Sequence, residues 1–109
     1  MKNLIIIAAG GMGRTFYDIA RESIGYNTEY IIKGFIDDNL HALDGFEGYP
    51  PVIGSISEYQ PQENDVFICS IGGASRKKCM EEIISRGGDF QTLIHKTARI
   101  GTNVKIGKG

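Results

Sequence analysis

An α/β fold is predicted here: a small parallel sheet with flanking helices, followed by the start of a parallel β-helix. Three observations predict it. Leu4-Ile5-Ile6-Ile7 is a continuous apolar run that passes through Ala8-Ala9-Gly10-Gly11-Met12-Gly13 into a helical period, the order strand, glycine-rich turn, helix. Asp65 to Ile71 is a second such run, and it ends in Gly72-Gly73-Ala74. From Ile94 the period changes to six residues. Residues 1–93 are therefore read as the α/β domain and 94–109 as the start of the repeats.

The first strand suits burial on both faces, because it has no alternation and three β-branched isoleucines. The helix after it is expected over about Arg14 to Ser23, with Gly25 as its stop and Phe16, Ile19, Ala20, Ser23 and Ile24 on one face. The turn resembles the dinucleotide fingerprint G-x-G-x-x-G with Ala8 in place of the first glycine. Gly10 would allow close approach of a ligand and Gly13 close packing of helix on strand. A helix N-terminus carries free N–H groups and a positive dipole end, so a phosphate is a natural occupant. Arg14 at that end reads equally as an anion contact or a solvated side chain.

Tyr30 to Ile36 is the second strand, closed by Asp37-Asp38. An acid in that position can accept a ribose hydroxyl. No third ligand is spaced to complete a metal site, and adjacent strand-end residues point to opposite sides. One acid is therefore assigned to a ligand and the other to the turn. The stretch up to Gly54, with Gly45, Gly48, Pro50 and Pro51, reads as a loop over the sheet edge that carries an exposed His41. Ser55 to Tyr59 suits a short helical turn that Pro61 ends.

The helix after Gly73 places Cys79, Met80, Ile83 and Ile84 inward and Arg76, Lys77, Glu81, Glu82 and Arg86 in water, with Gly87-Gly88 as its stop. Arg76 in the first turn opposes the dipole, which suits either an anionic ligand or solvent. Phe90 to Ile94 is the last expected strand. The three turns at Gly10–Gly13, Asp37–Asn39 and Ile71–Ala74 would line one edge, where open parallel sheets bind ligands.

The chain has 109 residues and a formal net charge of −1, enough for one domain with a modest core. Neither the charge nor the aromatic content, with no Trp, points to nucleic acid or to an anionic membrane. No signal peptide or membrane-length apolar stretch is visible, so a cytoplasmic location is expected. Cys69 and Cys79 form no metal pattern and read as small core residues.

Ile94, Ile100 and Ile106 recur every six residues, Gly101 and Gly107 follow their isoleucines, and Ala98 and Val104 keep register. Such a period is the signature of a parallel β-helix, whose coils need stacked neighbours. The pattern is still running at Gly109, so the chain is expected to be the front part of a longer protein.

With these residues in view, the chain resembles the N-terminal part of the sugar O- and N-acetyltransferases of the sialic acid O-acetyltransferase and UDP-amino-sugar (bacillosamine) N-acetyltransferase type. The resemblance rests on Ala9-Gly10-Gly11-Met12-Gly13-Arg14, Gly34-Phe35-Ile36-Asp37-Asp38, Gly48-Tyr49-Pro50-Pro51-Val52-Ile53-Gly54, Ile71-Gly72 with Arg76, and His95 before the repeats. Met12 departs from a common His of that family.

The resemblance implies a Rossmann-like domain followed by a left-handed β-helix. It implies a nucleotide-linked sugar, of UDP type, at Gly10, Gly11, Met12, Gly13, Arg14, Asp37, Asp38, Ile71 and Gly72. Acetyl-CoA would sit in the β-helix of a homotrimer, and the general-base His is expected beyond Gly109. His95 is too early in the repeats for that role. The other readings are a NAD-binding domain of an oxidoreductase or redox sensor, and a structural module that binds nothing.

Overall fold

The computed structural model describes residues 1–94, together with the backbone of one short strand at Lys105–Ile106. Four parallel strands form the sheet, in the order β3-β2-β1-β4: β1 Lys2–Ile7, β2 Tyr30–Ile36, β3 Val52–Gly54 and β4 Asp65–Cys69. Helices α1 (Gly11–Arg21) and α2 (Gly73–Ser85) follow β1 and β4. The result is the predicted small α/β sheet with flanking helices.

β1 sits between β2 and β4 and is buried on both faces, as its unbroken apolar run requires. Strand alternation divides its side chains. Leu4 and Ile6 join Ala20, Tyr30, Phe35 and Ile68 on the α1 face, with Phe16 and Tyr17 packed against them. Ile5 and Ile7 join Ile36, Phe67, Cys69, Cys79 and Ile83 on the α2 face. The Tyr30 hydroxyl, deep in the first layer, donates to the Ala20 carbonyl at 2.6 Å. Burial, its first cause, pushes that hydroxyl's pKa up to about 12.

Pairing slips by one residue between Leu4/Ile32 and Ile5/Gly34, leaving Lys33 as a bulge. The Lys33 ammonium meets the Tyr59 hydroxyl at 2.9 Å and Asp65 Oδ1 at 3.1 Å. Tyr59 donates to Asp65 Oδ2 at 2.7 Å. This network ties the middle of β2 to the start of β4 past the intervening strand.

Several expectations need correction. The expected edge loop contains a strand, β3, which pairs with Phe35 and Ile36. Gly34 makes this possible, since a Cβ there would stand 2.6 Å from the Pro51 carbonyl oxygen. α1 begins three residues before Arg14, straight from the turn, and ends at Arg21. Beyond that end, Ser23 Oγ bonds back to the Ile19 carbonyl and the Ile24 N–H goes to the Ile94 carbonyl at 2.8 Å. Ile24 is therefore 60% exposed and not on the apolar face.

In α2, Ile84 is also outward, at 54% exposure. Arg76 and Arg86, expected in water, are half-buried. Arg86 donates to the Tyr59 and Ile56 carbonyls, each at 2.6 Å, and so holds the Ser55–Tyr59 turn against the end of α2. The last strand is shorter than expected. Phe90 makes one parallel bridge to Phe67, and β5 is Leu93–Ile94 alone.

β5 pairs antiparallel with β6 (Lys105–Ile106). This antiparallel pairing is not the parallel stacking expected of a β-helix, and the other positions of the expected six-residue repeats, with His95 and Ile100, lie outside the described residues.

Candidate functional site at the carboxyl edge of the sheet

β1, β2 and β4 all end at one edge, and their three turns are joined there by hydrogen bonds. The Ala9 N–H donates to Asp37 Oδ2 at 2.9 Å, linking the first turn to the second. Ser70, just after β4, donates its hydroxyl to the Ile7 carbonyl at 2.7 Å, linking the third turn to the first. Three loops distant in sequence thus share one rim.

The first turn is shaped by Ala8 and Gly13. Ala8 holds φ of 74°, in the left-handed region that glycine occupies freely. A Cβ on Gly13 would collide with the Ala8 carbonyl oxygen and meet Ser70 Oγ at 3.3 Å, so α1 can lie this close only with glycine. Gly10 serves a different end. A Cβ there would meet nothing within 4 Å, so its surface is open. Gly72, the residue before α2, is open in the same way.

Neither helix has a side-chain cap or an acid in its first turn. Their first-turn N–H groups have no intrahelical partner. Two positive helix ends therefore face the rim with no acid in their own first turns, and the Asp37 carboxylate on the Ala9 N–H stands just before α1.

The side chains around this turn are ordered. Arg14 donates to the Ala9 carbonyl at 3.2 Å, and its guanidinium lies 4.0 Å from the centre of the Phe46 ring. This is a fixed arginine at the mouth of the turn. Met12, in the first turn of α1, is 57% exposed.

Asp37 is committed to the fold. Its Oδ1 accepts the Asn39 N–H at 2.9 Å while Oδ2 holds Ala9. Asp38 points the other way and accepts both the Ser57 N–H and the Ser57 hydroxyl, at 3.1 and 3.2 Å. The adjacent acids do diverge, and each caps a turn.

Ile71 packs against the Cys69–Cys79 layer. Arg76 donates to the Cys69 carbonyl at 3.0 Å and so braces the third turn from below.

Two cavities flank the rim. One of about 580 Å³ is lined by Asp38, Leu40, Ile53, Ser57, Tyr59 and Gln62, and one of about 290 Å³ by Asp38, Ile71, Ser75, Cys79 and Glu82. Asp38 and Ile71 border this space. Gly10, Gly11, Met12, Gly13, Arg14 and Asp37 form the neighbouring ledge, outside both cavities. Ser70, Ser57 and Phe46 were not legible as site residues, because serines and a loop aromatic carry no spacing signal.

A parallel sheet in this strand order, with two helix N-termini and a glycine-rich first turn on its carboxyl edge, defines a small Rossmann-like domain. The sequence model of the PglD N-terminal domain matches residues 3–83, and the chain belongs to that family. It is also similar to a UDP-N-acetylbacillosamine N-acetyltransferase from Bacillus subtilis (strain 168), at 28% identity over 114 aligned residues. That alignment covers all of this chain and 50% of the relative, so the chain spans about half the relative's length.

Proposed function

We propose that this domain holds the nucleotide-linked sugar for an acetyl-CoA-dependent sugar O- or N-acetyltransferase of surface-polysaccharide or glycan biosynthesis. The carrying observation is the rim itself, with two uncapped helix N-termini, the open Gly10 and Gly72, and the anchored Arg14. A diphosphate suits the ledge at Gly10, Gly11, Met12, Gly13 and Arg14. The sugar and base then extend past Asp37, Asp38, Ile71 and Gly72 toward the flanking cavities. Family membership and the relative's UDP-amino-sugar name favour a UDP-sugar.

Asp37 does not separate this reading from the NAD one, since each of its oxygens accepts one backbone N–H and keeps a second acceptor site for a ribose hydroxyl; family membership favours the sugar nucleotide.

The acyl-transfer centre is assigned elsewhere in the parent enzyme, a cytoplasmic homotrimer in this reading. Among the described residues His41 pairs with Asp44 at 3.3 Å, but their side chains are 83% and 76% exposed. Such a solvated pair does not fit a general base that must work beside a thioester out of bulk water. Acetyl-CoA, when bound, supplies the activated acyl group; residues 1–94 contribute only the positioning of the acceptor. Titration calorimetry with UDP, UDP-N-acetylglucosamine and NADH tests this. Heat with the UDP compounds alone is expected. Binding of NADH without UDP would overturn the reading.

A further inference from the structure

The loop between β2 and β3 is fixed at two places and exposed between them. Ala42 and Leu43 pack against the layer under α1, and so does Tyr49, whose ring meets Tyr17 edge-on at 5.4 Å. Every residue from Asp44 to Gly48 is exposed. Gly45 and Gly48 hold φ of 84° and 85°, and a Cβ at either would meet nothing within 4 Å. Space does not call for glycine there; the left-handed backbone does. Between them stands Phe46, 48% exposed, with its ring centre 4.0 Å from the Arg14 guanidinium.

We propose that Asp44–Gly48 is a strap that closes over the phosphate ledge, with Gly45 and Gly48 as its hinges and Phe46 as a positioning residue that acts through Arg14. This rests on the function proposed above, because it takes a diphosphate as the ligand of Arg14.

A half-exposed ring on a loop gains little from burial, but its face attracts a cation. In the free protein Arg14 is shared between that ring and the Ala9 carbonyl at 3.2 Å. A phosphate is a stronger partner than a neutral carbonyl, and two parallel N–H bonds would fix the plane of the guanidinium. The ring then has a fixed face to cover. In covering it, the ring keeps water off the Arg14–phosphate pair and strengthens that pair. Closure and binding therefore favour each other, by the same factor in both directions. The strap carries no cation of its own. Its charged residues are Asp44, which pairs with His41 at 3.3 Å, and Glu47. Its tie to a ledge that holds an anion must run through Arg14. Glycines free of neighbours at both ends can absorb the backbone rotation that closure needs.

The test is amide hydrogen exchange at residue 46, followed by NMR, alongside calorimetry with UDP. The Phe46 N–H donates to the Leu43 carbonyl at 2.9 Å, so its exchange reports local opening of the strap. Saturating UDP should slow that exchange about fivefold. Without nucleotide, Arg14→Ala should speed it. Phe46→Tyr should behave as the unaltered chain, whereas Phe46→Leu, apolar but without a π face, should still give heat with UDP and show no slowing. Heat with UDP but unchanged exchange at Phe46 would overturn the proposal, as would a Phe46→Leu strap that UDP protects fully. Unchanged ligand-free exchange in Arg14→Ala would also overturn it. Should a variant fail to fold, the unaltered protein with and without UDP decides alone. If UDP gives no heat, the proposed function fails and the strap's closure with it; heat without slowing removes the strap alone.

Discussion

The Ala9 N–H donates to Asp37 Oδ2 at 2.9 Å, which makes an acid at the end of β2 a structural part of the glycine-rich turn after β1. The second oxygen accepts Asn39 N–H at the same distance. Asp37→Asn offers one acceptor and one donor to two donors, so one N–H loses its partner and faces another donor. Loss of charge-assisted bonds of this kind costs about 2 kcal/mol. Asp38→Asn should cost under about 1 kcal/mol, because Asp38 is exposed and its bonds to Ser57 compete with water. Urea unfolding followed by far-UV dichroism should separate the two variants. Equal effects would refute the division of labour.

The first turn is strained at one position and tight at another. An alanine at φ 74° costs about 1–2 kcal/mol, of which glycine's extra unfolded-state freedom takes back about 0.5–1. Ala8→Gly should therefore raise stability by roughly 0.5 kcal/mol. Gly13→Ala is the opposite case. Its Cβ would run into the Ala8 backbone, so α1 must move, at about 3 kcal/mol. Thermal melts of both variants check the pair, and a neutral Gly13→Ala would show that the turn relaxes freely.

The Lys33–Tyr59–Asp65 network predicts how stability responds to pH. Burial raises the Asp65 pKa, but the Tyr59 hydroxyl, the Gln62 N–H and Lys33 outweigh it and hold the carboxyl below its ordinary value. A depressed folded pKa means stability present at neutral pH and lost as pH falls through the ordinary carboxylate range toward that lower value. For Lys33, burial lowers the pKa, yet Tyr59 and Asp65 together raise it. Its contribution is therefore complete at neutral pH and lost only as pH rises past the ordinary lysine value. The Asp65 carboxylate has no exposed side-chain surface, so Asp65→Asn leaves Lys33 underpaired and should cost about 3 kcal/mol. Urea midpoints at a series of pH values should show a shallower acid limb in Asp65→Asn than in the unaltered chain. Parallel acid limbs would remove Asp65 from the account.

Much of the frame was legible because burial on two faces writes itself as an unbroken apolar run. β1 and β2 are found where Leu4 to Ile7 and Tyr30 to Ile36 predict them. β3 was hidden for a tertiary reason. It is three residues long and flanked by Pro51 and Ser55, and it exists because Gly34 on β2 lets its backbone come close. Helix periodicity misassigned Ile24, since it cannot see that the Ile24 N–H is claimed by Ile94. The charged residues were read least well. Arg76 and Arg86 count as solvated on a helical wheel, yet each caps carbonyls on another segment. The convergence of the three turns followed from the rule for parallel sheets, whereas the bonds that lock them, through Asp37 and Ser70, needed coordinates.

Arg14 gives the sharpest functional prediction. Its guanidinium is held between the Ala9 carbonyl at 3.2 Å and the Phe46 ring at 4.0 Å, beside the uncapped start of α1. A diphosphate on the Gly10–Gly13 ledge would exchange the neutral carbonyl for an anion, and the ring would keep the arginine in place. Arg14→Ala should weaken UDP about tenfold, or ~1.4 kcal/mol, and reduce the dependence of affinity on salt, because one screened charge pair is gone. Arg14→Lys should recover only part of this, since an ammonium lacks the flat face that stacks on Phe46 and the fork that fits a phosphate. Phe46→Ala should weaken UDP less than Arg14→Ala and leave the salt dependence intact, the charge being still present. Calorimetric titration of UDP at two ionic strengths measures all three. If Arg14→Ala binds UDP as the unaltered protein does at both, the phosphate lies elsewhere on the rim.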